Sequence, residues 1–88
     1  MAEEDRDTRL KRLRMRSMRR GIKEMDIILS RYADQRLDGL DADMLDLYDT
    51  LLSENDQDLY QWVTGQVNAP GRFGDLVADI AAVSDASK

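Results

Sequence analysis

Arg19-Arg20-Gly21-Ile22-Lys23-Glu24 is the segment of this chain best equipped for chemistry. It sets two guanidiniums, a backbone lacking Cβ and a carboxylate close together. Arginine offers a planar five-donor fork, glutamate an acceptor, and glycine a point where another backbone can approach. Arg20 and Glu24 are four residues apart, the spacing that shares one helical face if the helix starts early enough. A cation, a bare backbone and an anion on one patch make a protein-docking surface. A second reading needs no partner. Gly21 serves as an N-cap, and Glu24 reaches back to the cap N–H as half of a capping box.

Other candidate groups are fewer than usual. The 88 residues include no Cys and no His. That removes disulfides, thiolate nucleophiles, Cys-based metal sites, the commonest neutral-pH general base and the commonest transition-metal ligand. Asp, Glu, Lys and Tyr remain, but so small a core gives little room for a pocket that retunes them. The expectation is a protein that is not an enzyme. Asp56 and Asp58 lack the further oxygen ligands of a calcium loop and read as a cap plus an acidic first turn. Trp62 and Phe73 read as core residues.

The elements that position these groups are helices. Leu10, Leu13 and Ser17 or Met18 form a thin first stripe. Ile22, Met25, Ile28, Leu29 and Tyr32 form a stronger one, predicting a helix that ends near Leu37, with Gly39 as its left-handed terminator. Asp41 is the expected N-cap of a third helix carrying Met44, Leu45, Leu47, Tyr48, Leu51 and Leu52. Asn55 or Asp56 caps a fourth, with Leu59, Trp62, Val63 and Val67 inward. Pro70 interrupts the pattern, and a fifth helix runs from Gly74 or Asp75 to Val83 with Phe73, Leu76, Val77 and Ile80 inward. The fold class is all-α, one domain of five short helices over residues 8–83. Flexible polar ends are expected at 1–7 and 84–88.

Charge is divided unevenly. Residues 1–36 carry a net +4 and residues 37–88 a net −9, for −5 in all. Arg9 to Lys23 holds eight basic residues and no acidic one. This favours a solvated face balanced by the acidic half; the rival is a nucleic-acid-binding adaptor that uses the Arg-rich first helix. No nucleic-acid signature accompanies the arginines, and the acidic half would repel a duplex. The apolar side of the first helix is too thin for firm membrane insertion. No run reaches the ~18 apolar residues of a membrane span. The acidic Met-Ala-Glu-Glu-Asp start suits neither a secretory signal nor a transit peptide.

Three stretches together carry a family resemblance: Arg19-Arg20-Gly21-Ile22-Lys23-Glu24-Met25-Asp26, the pair Leu51-Leu52, and Asp56-x-Asp58-Leu59-Tyr60-x-Trp62 followed by Pro70. They resemble the SdhE family of FAD assembly factors over roughly residues 9–75. Met25 stands where that family commonly has leucine, and the first helix is richer in arginine. The resemblance implies an all-helical, monomeric assembly factor in the bacterial cytoplasm, or in the mitochondrial matrix for a processed eukaryotic form. It implies binding to the flavoprotein subunit of succinate dehydrogenase, and in some bacteria of fumarate reductase, to promote covalent attachment of FAD to a partner histidine. Arg20, Gly21 and Glu24 would then be the partner-binding motif, with Arg19 and Asp56 secondary. The chain itself would hold no metal and no stably bound cofactor.

Overall fold

The structure, a computed structural model, describes residues 5–86, with side chains through Ser84. It is all-helical. The five helices are α1 (Arg6–Ser17), α2 (Lys23–Arg36), α3 (Ala42–Leu51), α4 (Asp56–Val63) and α5 (Gly74–Ala86), with 3-10 turns at Leu37–Gly39 and Gly71–Phe73. α2 and α5 form the centre. α1 lies along α2, α3 against α5, and α4 against both α2 and α5. Of the polar ends expected at 1–7 and 84–88, residues 6–7 and 84–86 are helical. α1 begins at Arg6 with Asp5 as its cap, and α5 continues to Ala86; the rest of those ends lies outside the described residues.

The core follows the apolar stripes. Leu13, Met25, Leu29, Tyr32, Leu37, Leu45, Tyr48, Leu51, Leu59, Phe73, Leu76 and Ile80 are at most 1% exposed. Tyr32 and Tyr48 meet at the centre with ring centroids 5.5 Å apart. Ser17 joins them as the buried polar group of α1. It donates its hydroxyl proton to the Leu13 carbonyl at 2.8 Å, so Tyr48 O–H donates to Ser17 Oγ at 2.6 Å. This settles the choice between Ser17 and Met18, which is half exposed. Trp62 packs at the margin, stacked on Phe73 at 6.0 Å.

Helix ends show where side-chain chemistry acts. Asp41 accepts from Met44 N–H at 2.8 Å, as expected, and Asn55 accepts from Gln57 N–H at 2.8 Å. Asn55 is therefore the cap of α4, and Asp56 is left for other work. Two expectations are corrected. Gly39 has no positive φ; α2 ends by tightening into a 3-10 turn closed by Leu40 N–H on the Leu37 carbonyl. The left-handed glycine is Gly65, at φ 82°. It ends α4 in a Schellman motif, with Gln66 N–H on the Gln61 carbonyl and Gly65 N–H on the Trp62 carbonyl. α4 thus stops before Val67, which is 47% exposed rather than inward.

Candidate functional site

The Arg19–Glu24 segment is the joint between α1 and α2; carboxylates of α2 and α4 hold it, and one of α3 holds the end of α1 that leads into it. Asp56, in the first turn of α4, accepts Arg20 Nε at 2.8 Å and pairs with Arg20 Nη2 at 2.7 Å through Oδ1. Its Oδ2 accepts Gly21 N–H at 2.6 Å. Arg20 Nη1 donates to the Arg16 carbonyl at 3.0 Å, satisfying one of the orphan acceptors at the C-terminus of α1 where a cation is also favoured. Asp26 of α2 accepts Arg19 N–H at 3.0 Å. Asp49 of α3 takes Arg12 through both oxygens, at 2.9 and 3.1 Å, and Arg16 through Oδ1. The Arg12 hydrogen bonds, with Arg12, Arg16 and Arg9 as nearby positive charges, hold the Asp49 carboxyl below its ordinary range.

This arrangement changes the reading of each motif residue. Gly21 is not the cap of α2; Ile22 is, without a side-chain bond, and Glu24 closes no capping box. The absent Cβ at Gly21 has an internal reason, since one built there would lie 3.1 Å from Asp56 Oδ2. Arg20 does not stand beside Glu24 on a helical face, because it precedes α2 and folds back toward α1 and α4. With side-chain exposures of 12% and 16%, Arg20 and Asp56 form a shielded clasp. Glu24 is exposed on the first turn of α2 and makes no hydrogen bond or ion pair among the described residues. Arg19 is exposed with φ 58°, the one non-glycine positive φ among the described residues. Asp26 and Asp49 were not singled out from the sequence. For Asp49 the opposed charges of the two halves were the signal; Asp26 lies in the basic half and had none.

The remaining arginines of α1 are engaged as well, by carboxylates or main-chain carbonyls. Arg9 pairs with Asp46, Arg14 with Asp34 at 3.2 Å and Asp38 at 2.9 Å, and Arg6 donates to the Asp38 and Leu40 carbonyls at 2.7 and 2.9 Å. The basic run is thus a seam that fastens α1 to α2 and α3, and the nucleic-acid alternative finds no support in it. Among the described residues no cluster of His, Cys, Asp and Glu could hold a metal ion. No helix there is long and apolar enough to cross a membrane. Two depressions flank the joint. One, of about 360 Å³, is lined by Arg16, Met18, Arg19, Arg20, Gly21 and Asp56. The other, of about 420 Å³, lies between α2, α4 and α5, with Glu24 at its edge and Ile27, Ile28, Tyr60 and Val63 on its walls.

Comparison with known proteins accounts for most of this helical unit. Residues 11–84 match the family described as flavinator of succinate dehydrogenase. A Meyerozyma guilliermondii protein named succinate dehydrogenase assembly factor 2, mitochondrial, is 49% identical over 61 residues, 69% of this chain and 45% of its own. The Schizosaccharomyces pombe protein of that name is 40% identical over 70 residues, 80% of this chain and 50% of its own. Drosophila mojavensis has a relative named succinate dehydrogenase assembly factor 2-B, mitochondrial, 37% identical over 73 residues, 81% of this chain and 46% of its own. The chain spans about half the length of the curated relatives it matches. With the match running from α1 through α5 and enclosing the carboxylate-held joint, the chain belongs to the family of succinate dehydrogenase flavinators.

Proposed function

We propose that this protein is an assembly factor that binds the flavoprotein subunit of succinate dehydrogenase and promotes covalent attachment of FAD to it. We extend the proposal to the flavoprotein subunit of fumarate reductase where a cell contains one. The observation that carries this reading is the family match over residues 11–84. The geometry supports it. A docking segment held by Asp26 and Asp56 is ordered before the partner arrives, so little ordering entropy is lost on binding. Arg20, Gly21 and Glu24, with Arg19 and Asp56, are its proposed partner-binding residues. Arg20, Gly21 and Asp56 shape the joint, while Arg19 and Glu24 offer exposed charges.

In this proposal the chain is a helper and not an enzyme. FAD belongs to the partner and supplies the reactive ring methyl; the acceptor histidine is the partner's too. What this chain contributes is a rigid face that favours the partner conformation in which those two groups meet, an effect of proximity and population. The free chain acts as a monomer in the compartment where its partner folds, the bacterial cytoplasm or the mitochondrial matrix. Size-exclusion chromatography of the purified chain with purified apo-flavoprotein subunit tests the binding step. An equimolar complex is expected; separate elution of the two at concentrations of tens of micromolar would refute it.

A further inference from the structure

We propose that Arg19, and not Arg20, supplies the cation that meets a carboxylate on the flavoprotein subunit, and that its left-handed backbone exists to present it. The inference rests on the reading that this chain docks on that subunit. Arg20 is already occupied. Its three guanidinium nitrogens engage Asp56 and the Arg16 carbonyl, and its side chain is 12% exposed. A partner would have to break the clasp to reach it, and would expose Asp56 and free Gly21 N–H by doing so. Arg20 is a positioning residue.

Arg19 differs from its neighbour in every respect. Its side chain is exposed and makes no hydrogen bond or ion pair among the described residues; only its backbone N–H is tied, to Asp26. Its φ of 58° lies in the region that glycine or asparagine adopts readily and a long side chain does not. Among the described residues its side chain makes no contact inside the fold that would call for an arginine there, which is the signature of a local strain retained for function. Within the adjoining depression, Arg16 is taken by Asp49 and Ser53, and Asp56 by Arg20 and Gly21. Arg19 is the charge on that wall with its full fork to offer. Met18, 50% exposed beside it, gives the depression an apolar margin. A carboxylate matches the fork through two parallel hydrogen bonds.

The test separates docking from folding by the sign of two effects. Arg19→Asn, Arg19→Lys and Lys11→Gln are compared with the parent for urea midpoint of the chain alone and for affinity toward purified flavoprotein subunit by titration calorimetry. Lys11 is exposed on α1, does not line that depression, and controls for net charge. Arg19→Asn is expected to unfold at the same urea concentration or higher, yet to bind about tenfold more weakly. Arg19→Lys, which keeps the charge without the fork, should fall between, and Lys11→Gln should match the parent. Binding by Arg19→Asn within about twofold of the parent overturns the proposal. So does weakened binding accompanied by a lower midpoint, which would mark Arg19 as structural. If the parent itself does not bind, the functional reading fails first, and this inference with it.

Discussion

Replacing Asp56 by asparagine asks whether one carboxylate holds the α1–α2 joint together. Its two oxygens divide the work, Oδ1 taking Arg20 and Oδ2 taking Gly21 N–H. Asparagine retains one oxygen, so either Arg20 or Gly21 N–H must face an amide NH2, donor against donor. The surviving bond also loses its charge assistance. A charge-assisted hydrogen bond contributes about 1.5–3 kcal/mol and a neutral one about 0.5–1.5. Water reaches this partly exposed site and relieves some of the conflict, which leaves a loss of about 2 kcal/mol. A domain of this size has only about 3–5 kcal/mol in hand. With a urea dependence of about 1 kcal/mol per molar, the midpoint should drop by about 2 M, and the melting temperature by about 10 °C. Far-ultraviolet circular dichroism and Trp62 fluorescence report the transition. Arg20→Gln should cost a similar amount, and the double variant should cost less than the two together because they share one network. A midpoint shift below about 0.3 M for Asp56→Asn would refute the clasp.

Three further predictions come from the same network and the core beneath it. Gly21→Ala puts a methyl 3.1 Å from an Asp56 oxygen that Arg20 holds in place, so it should cost about 1 kcal/mol; in an Asp56→Ala background that loss should nearly vanish in urea titrations. Asp49 has a folded pKa held down by Arg12, so its share of stability is complete above the unfolded value of about 3.9 and is lost as pH falls through the lower folded value. Asp49→Asn should therefore flatten the decline of the urea midpoint in acid. Burial pushes the Tyr48 hydroxyl up to about 12. Its contribution is intact below the unfolded value of about 10 and is lost as pH rises through about 12, so Tyr48→Phe should reduce the alkaline loss of helicity.

The helices were legible because their burial is periodic. Met25, Leu29 and Tyr32 recur at helical spacing and are all buried, and Asp41 caps α3 as its type and position suggest. What the sequence hid was long-range. Asp56 and Arg20 stand 36 apart, and nothing local says that this carboxylate leaves helix capping to Asn55 and reaches across to the α1–α2 joint. Reading Gly21 as a cap failed for the same reason, since the group that requires its bareness comes from α4. The left-handed terminator is Gly65 and not the expected Gly39: Gly39 follows a run that a 3-10 turn can close, whereas Gly65 completes hydrogen bonds that only a left-handed residue permits. Arg19 gave no sign of its positive φ because arginine rarely adopts it. The charge division, visible from composition, marked the seam of α1 without naming its pairs.

The seam also separates two roles that a motif alone merges. Residues that shape the joint, Arg20, Gly21 and Asp56, are satisfied by one another, while Arg19 and Glu24 point their charges outward from it. On the proposed reading, loss of function in the first group should pass through folding, and loss in the second should not.

The claim at the centre of this account is that the chain speeds covalent flavin attachment. It is tested most directly by adding FAD to purified apo-flavoprotein subunit, with and without this chain, and following the flavin fluorescence that stays with the subunit after denaturation. The account predicts that protein-bound fluorescence accumulates faster with the chain present. Equal rates with and without it would contradict the account.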